Sequence, residues 1–214
     1  MEIYVVYMIG YKCPWEKYPT MRFLDGDPSK LEWLEDIGLI TTPLISPTAK
    51  ALAGFPIKDT KVPTKLQWLS RSQVPDFEGP PGFISISSRF KDVIERFEPD
   101  VHQFFPITVV NKAKENIAER WLWVVCNRID GVDREHTTFV LRKGMLWMTN
   151  WEEDGQRIEI PNAVLYHSRK QTQGYHFWRD KHIRGGGIYA SDEAAEVLKS
   201  TKLTALHLRR EETK

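Results

Sequence analysis

The stretch from Gly82 to Val110 constrains the fold more than any other, because three element signals follow one another there with almost no spacer. Phe83, Ile84 and Ile86 form a short apolar, β-prone run. Ser87 or Ser88 then offers a side-chain oxygen to the free amides of a following helix. Phe90, Val93, Ile94 and Phe97 recur at helical spacing. The residue before a proline is pushed out of the α region, so the helix is expected to stop ahead of Pro99, and Phe104 to Val110 reads as the next strand. The unit is strand, helix, strand.

A similar order closes the chain. Ile188-Tyr189-Ala190 reads as a strand, Ser191 as a cap with Ala194 at N3, and Asp192 and Glu193 sit beside the positive helix end. Ala195 and Leu198 should face inward. A last strand is expected over Leu203 to Leu208, followed by a frayed charged tail, RREETK.

Elsewhere the signals are shorter. Ile3 to Ile9 reads as a strand buried on both faces, since it hardly alternates. Ser29 to Ile37 is predicted as a helix, with Leu31, Leu34 and Ile37 on one face and Gly38 as its stop. Seven of the thirteen prolines lie between Pro43 and Pro81, which disfavours long regular elements and leaves only Thr64 to Ser70 as a short strand. Phe55, Ile57, Leu66, Trp68 and Leu69 argue that this connector wraps the core, because a free linker has no reason to carry packing groups. Lys112 to Glu119 reads as a turn or brief helix, and Arg120 to Ile129 as a strand. Asp130 to Asp133 reads as a turn, and 137–142 with 145–149 as a hairpin about Lys143-Gly144. Val164 to His167 and Tyr175 to Trp178 are further strand candidates. The expected class is α+β: a mixed or mostly antiparallel sheet with a few short helices. Residues 1–81 read as an N-terminal lobe and proline-rich connector packed on an 82–214 core domain.

At 214 residues with 41% hydrophobic side chains and eight tryptophans, the chain can bury a substantial aromatic-rich core. Residues 1–107 carry 12 Lys/Arg against 14 Asp/Glu, and 108–214 carry 18 against 15. That balance lacks the basic stripe of a protein that neutralises phosphates, so nucleic acid is not an expected partner. Two cysteines, Cys13 and Cys126, are too few for a disulfide scaffold and lack the clustered partners of a zinc site. No stretch reaches the ~20 apolar residues of a membrane span, and the N-terminus lacks the pattern of a secretion signal. A cytoplasmic protein with reduced thiols is expected.

The search for chemistry favours structural readings. None of the six histidines forms a tight metal-ligand pair, so no metal and no cofactor are expected. His102 fits a neutral ring hydrogen-bonded to backbone better than a catalytic base. Ser85, Ser87 and Ser88 lack the glycine-flanked elbow of a hydrolase serine. Cys126 sits in an apolar strand, where a thiol behaves as a small hydrophobe. The glycines at 185–187 lack a P-loop's Lys-Ser/Thr and read as a turn. Glu152-Glu153-Asp154 before Gly155 reads as an exposed turn tip. With Trp151 these acids could supply an aromatic anchor and charged rim for a protein contact, whereas Trp147 reads as core. The competing reading is a small metal-independent hydrolase or transferase using His102 or His176, which requires a deep pocket where one of them meets a carboxylate or serine.

Two blocks, SSRFKDVIERFEPDVHQFFPITV and YHFWRDKHIRGGGIYASDEAAEVLKSTKLTALHL, together with the opening EIYVVYMI, resemble a family of bacterial immunity proteins from polymorphic toxin systems, encoded beside a secreted toxin. The more specific parts are His102-Gln103-Phe104-Phe105-Pro106, His176 to Asp180 (with Trp178), and Ser191-Asp192-Glu193. The resemblance implies a non-catalytic cytoplasmic protein that binds its cognate toxin and blocks access to the toxin's active site or target-binding surface. The matched residues His102, Phe105, Pro106, Trp178, Asp180 and Ser191 are expected to hold the fold, and Trp151, Glu152, Glu153 and Asp154 are the candidate toxin-binding residues.

Overall fold

Ser87 ends one strand and opens a helix. In extended backbone (φ −73°, ψ 163°), its hydroxyl oxygen accepts from the Phe90 amide, and α1 (Ser88–Phe97) follows with Phe90, Val93 and Ile94 buried and Glu98 as C-cap. Ser191 does the same for α3 (Asp192–Ser200), accepting from Ala194 N, with Ala194, Ala195 and Leu198 buried. A short α2 (Arg169–Thr172) brings the α-helices among the described residues to three. The computed structural model describes residues 5–11, 20–35, 47–183 and 187–214.

The strands are β1 (Val6–Tyr11), β2 (Met21–Phe23), β3 (Lys65–Trp68), β4 (Phe77–Glu78), β5 (Ile84–Ile86), β6 (Gln103–Val110), β7 (Asn116–Val124) and β8 (Arg128–Ile129). They continue as β9 (Val140–Arg142), β10 (Leu146–Met148), β11 (Asn150–Glu153), β12 (Gln156–Glu159), β13 (Tyr166–His167), β14 (Phe177–Asp180), β15 (Ile188–Ser191) and β16 (Leu206–Thr213). Two mixed six-stranded sheets result, β13-β16-β1-β15-β14-β8 and β2-β3-β6-β7-β5-β4, with β9-β10 and β11-β12 as separate ribbons.

The two sheets share one plan. In the second, β5 and β6 flank the antiparallel β7, β4 lies antiparallel beside β5, and β3 lies parallel beside β6. In the first, β15 and β16 flank the antiparallel β1, β14 lies antiparallel beside β15, and β13 lies parallel beside β16. Each plan contains a strand-helix-strand unit opened by a capping serine. Equivalent backbone bonds brace the caps: Ser87 N donates to Asp76 O, and Ser191 N to His176 O. The central core joins both plans, with Ile9, Phe177, Ile188, Ala194 and Leu198 from one and Phe77, Ile86, Phe90, Ile94 and Trp123 from the other. The far face of the second sheet is covered by residues ahead of Pro63: Leu31, Ala51 and Ile57 pack with Met21, Leu66, Ile107 and Leu122 of the sheet.

Several expectations need correction. No helix runs from Ser29 into the following residues. Asp27 accepts from Ser29 N and supports a single 3-10 turn, Pro28–Lys30, after which Leu31 turns extended (φ −57°, ψ 146°) and Trp33 bridges Ile57. Burial of Leu31 against the sheet outweighs helical spacing there, and Leu34 is exposed; Ile37 and Gly38 lie outside the described residues. The charged tail is not frayed: residues 209–213 belong to β16, which pairs with β1 through Val6↔Glu211. Of the turn or brief helix expected over 112–119, the turn is present, closed by Lys114 N to Asn111 O, but it is shorter than expected and gives way to β7 at Asn116. The strand expected over 120–129 divides into β7 and β8. The first strand runs Val6–Tyr11, with Ile3 and Tyr4 outside the described residues.

Candidate functional site

Asp154 and Gly155, both at positive φ (51° and 74°), form a two-residue connection whose twist suits a tight hairpin. It joins β11 to β12 in the register Trp151↔Ile158 and Glu153↔Gln156. The ribbon belongs to neither six-stranded sheet. Glu152, Glu153 and Asp154 are exposed, while Trp151 is half-buried. The Arg142 guanidinium lies 5.1 Å from the centre of the Trp151 ring and donates to Glu153 Oε1 from both terminal nitrogens at 3.1 Å. Trp151 Nε1 donates to Glu153 Oε2 at 3.2 Å. The bond from Trp151, followed by those from Arg142 and its charge, holds the Glu153 carboxyl below its usual value. The four candidate contact residues are thus on one ribbon, with the indole held by its neighbours. Trp147 is buried.

The residues of the resemblance sit in the framework. His102 is buried; its Nδ1 accepts from Cys126 N at 3.1 Å, so Nε2 carries the proton and donates to Glu98 Oε2 at 2.7 Å. Phe105 packs on the core beyond the second sheet. Pro106 lies opposite Trp121 in β6, two residues ahead of the point where β3 begins to pair at Lys65↔Thr108, so its missing N–H breaks no ladder bond on that side. Trp178 stacks on Tyr189, ring centres 6.0 Å apart. Asp180 accepts from Gly131 N and His182 N; burial pushes its carboxyl up despite those two bonds. Ser191 caps α3.

The histidines of the competing reading do find such partners, though not in a deep pocket. His176 Nδ1 lies 2.9 Å from Ser191 Oγ, which also accepts from Ala194 N, and 3.7 Å from Glu193 Oε2; its side chain is 28% exposed and stands at the surface beside the start of α3. The His102 side chain has no solvent exposure. An open groove of about 320 Å³ between α1 and α3 is lined by Arg89, Asp92, Val93, Arg96, Val197 and Thr201, and by neither histidine. Among the described residues no group of three or more His, Cys, Asp or Glu could hold a metal ion, and no helix is long and apolar enough to cross a membrane. Cys126 is a free, half-buried thiol whose pKa burial raises; Cys13, Gly185 and Gly186 lie outside the described residues.

Sequence reasoning missed the buried groups that join the two plans. Glu98 Oε1 accepts from Asn127 Nδ2 (3.0 Å) and His176 N (2.7 Å), and its Oε2 from His102 Nε2 and Phe177 N (3.1 Å). At the other junction, Asp76 accepts from Thr204 N, Thr204 Oγ1 and Ser87 Oγ. Arg120, 3% exposed, donates to Ser85 Oγ, to the backbone oxygens of Ser85 and Asp76, and to Pro75 O. Apart from the i+4 spacing of Glu98 and His102, these partners are 11 to 128 residues apart, which leaves no local signature.

No curated protein matches the chain. A family model described as an immunity protein family, Imm11, matches residues 41–213, which includes both strand-helix-strand units, the ribbon and the framework histidines. A protein with those elements in that order, matched over most of its length, belongs to the Imm11 immunity protein family.

Proposed function

We propose that this protein neutralises a cognate toxin in the cytoplasm by stoichiometric binding, without catalysis of its own, covering the toxin's active site or target-binding surface. Membership of the immunity family carries the reading. The β11–β12 ribbon forms part of the interface on this proposal: it stands outside both sheets and presents a held indole beside exposed carboxylates. A pre-organised aromatic group loses little entropy on binding, and surrounding charged groups set partner choice and association rate. The partner is a protein, consistent with the near-neutral net charge of +1. A stable complex needs ~1,600 Å² of total buried surface, so the ribbon would be joined by neighbouring surface.

Co-expression with the product of the adjacent gene tests the function, read as rescued growth and co-purification. A toxin that still kills in the presence of this protein refutes the reading. For the interface, replacing Trp151, Glu152, Glu153 and Asp154 together by alanine should weaken toxin binding at least tenfold and leave the melting temperature within about 2 °C. Unchanged affinity places the interface elsewhere.

A further inference from the structure

Residues 132–167 leave β8 at one edge of the first sheet and return as β13 at the other, crossing the sheet face that carries Trp178 and Tyr189. The base of this segment is zipped to itself: Asp133 N donates to Tyr166 O, Thr138 N to Val164 O, and Val132 bridges His167. Its described ties to the sheet are the two-residue pairing of β13 with β16, Lys214 N to His167 O, the Lys214 ammonium over the Tyr166 ring, the His167 ring against Tyr189, Trp147 N to His182 O, the contact of His182 Nδ1 with Met145 O, and the Arg134–Asp130 ion pair beside β8. The apolar cluster on that face comprises Val6, Ile129, Trp178 and Tyr189 with Met8 and Ile183, none of them from the segment. The seam instead buries polar atoms without a hydrogen-bond partner among the described residues: Trp147 Nε1, Trp178 Nε1, Asp130 Oδ1 and both ring nitrogens of His167.

We infer that residues 132–167 form a strap that undocks from this face as a unit, taking the two-residue edge strand β13 with it while the rest of both sheets stays folded, and that a proton on the His167 ring favours the undocked form. The His167 ring lies 4.5 Å from Tyr189 and is fully buried. Charged or titratable groups on the elements around it are Tyr189 on β15, Arg179 and Asp180 on β14, Arg209, Glu211, Glu212 and Lys214 at β16, Asp133 at the strap base and Arg169 on α2. None of them hydrogen-bonds the ring. Asp133 is engaged by His136 and by the Glu135 amide. Burial pushes the His167 pKa down to about 4; the Gly131 backbone, outside hydrogen-bonding geometry, offsets this only in part. A depressed histidine favours the closed form above its free value of ~6.5, and that advantage is lost as pH falls towards 4. From these two values the undocked population rises about 20-fold between pH 7 and pH 5.

Three buried, unpartnered indoles provide the test: Trp147 and Trp178 in the seam, and Trp123 in the central core. Indole N–H exchange is followed by NMR on the whole chain at pH 7 and pH 5, each rate divided by the intrinsic rate at that pH. The expected result is that Trp147 and Trp178 exchange together, faster than Trp123, and that their ratio to Trp123 rises about 20-fold at pH 5. In His167→Leu the ratio should no longer depend on pH. Equal rates for all three indoles, meaning exchange only through global unfolding, would overturn the inference, as would a wild-type ratio that does not change with pH. The wild-type measurement decides the matter by itself if the variant does not fold. It involves no toxin, so its outcome is separate from that of the proposed function.

Discussion

Glu98 shows how much one side chain can hold. Its two oxygens accept four N–H groups, two of them backbone amides at the start of β14, and thereby tie the end of α1 to the other sheet. Glu98→Ala strands these donors in a buried site and should lower stability by at least about 3 kcal/mol, measured by urea unfolding. Asp76 makes the companion tie and is pH-sensitive. Burial pushes its carboxyl up, but bonds from Thr204 and Ser87 and the charge of Arg89 outweigh this and leave it below the usual value. A depressed carboxyl contributes stability that is present above its unfolded value of ~3.9 and lost as pH falls through its folded value. Asp76→Asn should flatten the stability profile below about pH 4, and an unchanged acid limb there would contradict this. At this scale the sequence pointed to a His102 ring hydrogen-bonded to backbone, and Cys126 N supplies that bond. The sequence could not point to Glu98 as the ring's partner in a network, because three of that network's four donors lie 29 to 79 residues downstream.

The two capped helices were the most legible elements, while α2 (Arg169–Thr172) gave no signal. Ser87 and Ser191 are caps because each precedes an apolar run of helical period, and each takes the N3 amide. Ser87→Ala and Ser191→Ala should each cost about 1 kcal/mol in thermal or chemical unfolding, with no change in fold. Each change also removes a second contact of the hydroxyl, with Asp76 for Ser87 and with His176 for Ser191. Asp154-Gly155 was legible as a turn tip, but the strands β11 and β12 that it joins were not, because Asn150–Glu153 and Gln156–Glu159 carry little apolar alternation. Leu31, Leu34 and Ile37 misled, because helical spacing is informative only where no sheet face competes for the same side chains. RREETK misled for the opposite reason: its charge suggested fraying, while β1 offers it a ladder of backbone bonds that charge does not remove.

Across the whole molecule the two similar plans are interleaved in the chain. β1 comes from the N-terminus and lies between β15 and β16 near the C-terminus, while β2, β3 and β4 precede residue 82 and share a sheet with β5, β6 and β7. We propose that 1–81 and 82–214 fold together as one unit. A fragment of residues 82–214 would lack the strand between β15 and β16, and should show neither a cooperative thermal transition nor the far-ultraviolet dichroism of the whole chain. A cooperatively folded fragment would instead mark 82–214 as a domain in its own right. The sequence by itself determined the two strand-helix-strand units, their serine caps, the turns and the family likeness, since each depends on residues a few positions apart. Only the tertiary structure decided which strands are neighbours, that residues 132–167 cross one sheet face, and which charged groups are buried. Those outcomes depend on backbone and side-chain partners up to two hundred residues apart, and such distances leave no trace in local spacing.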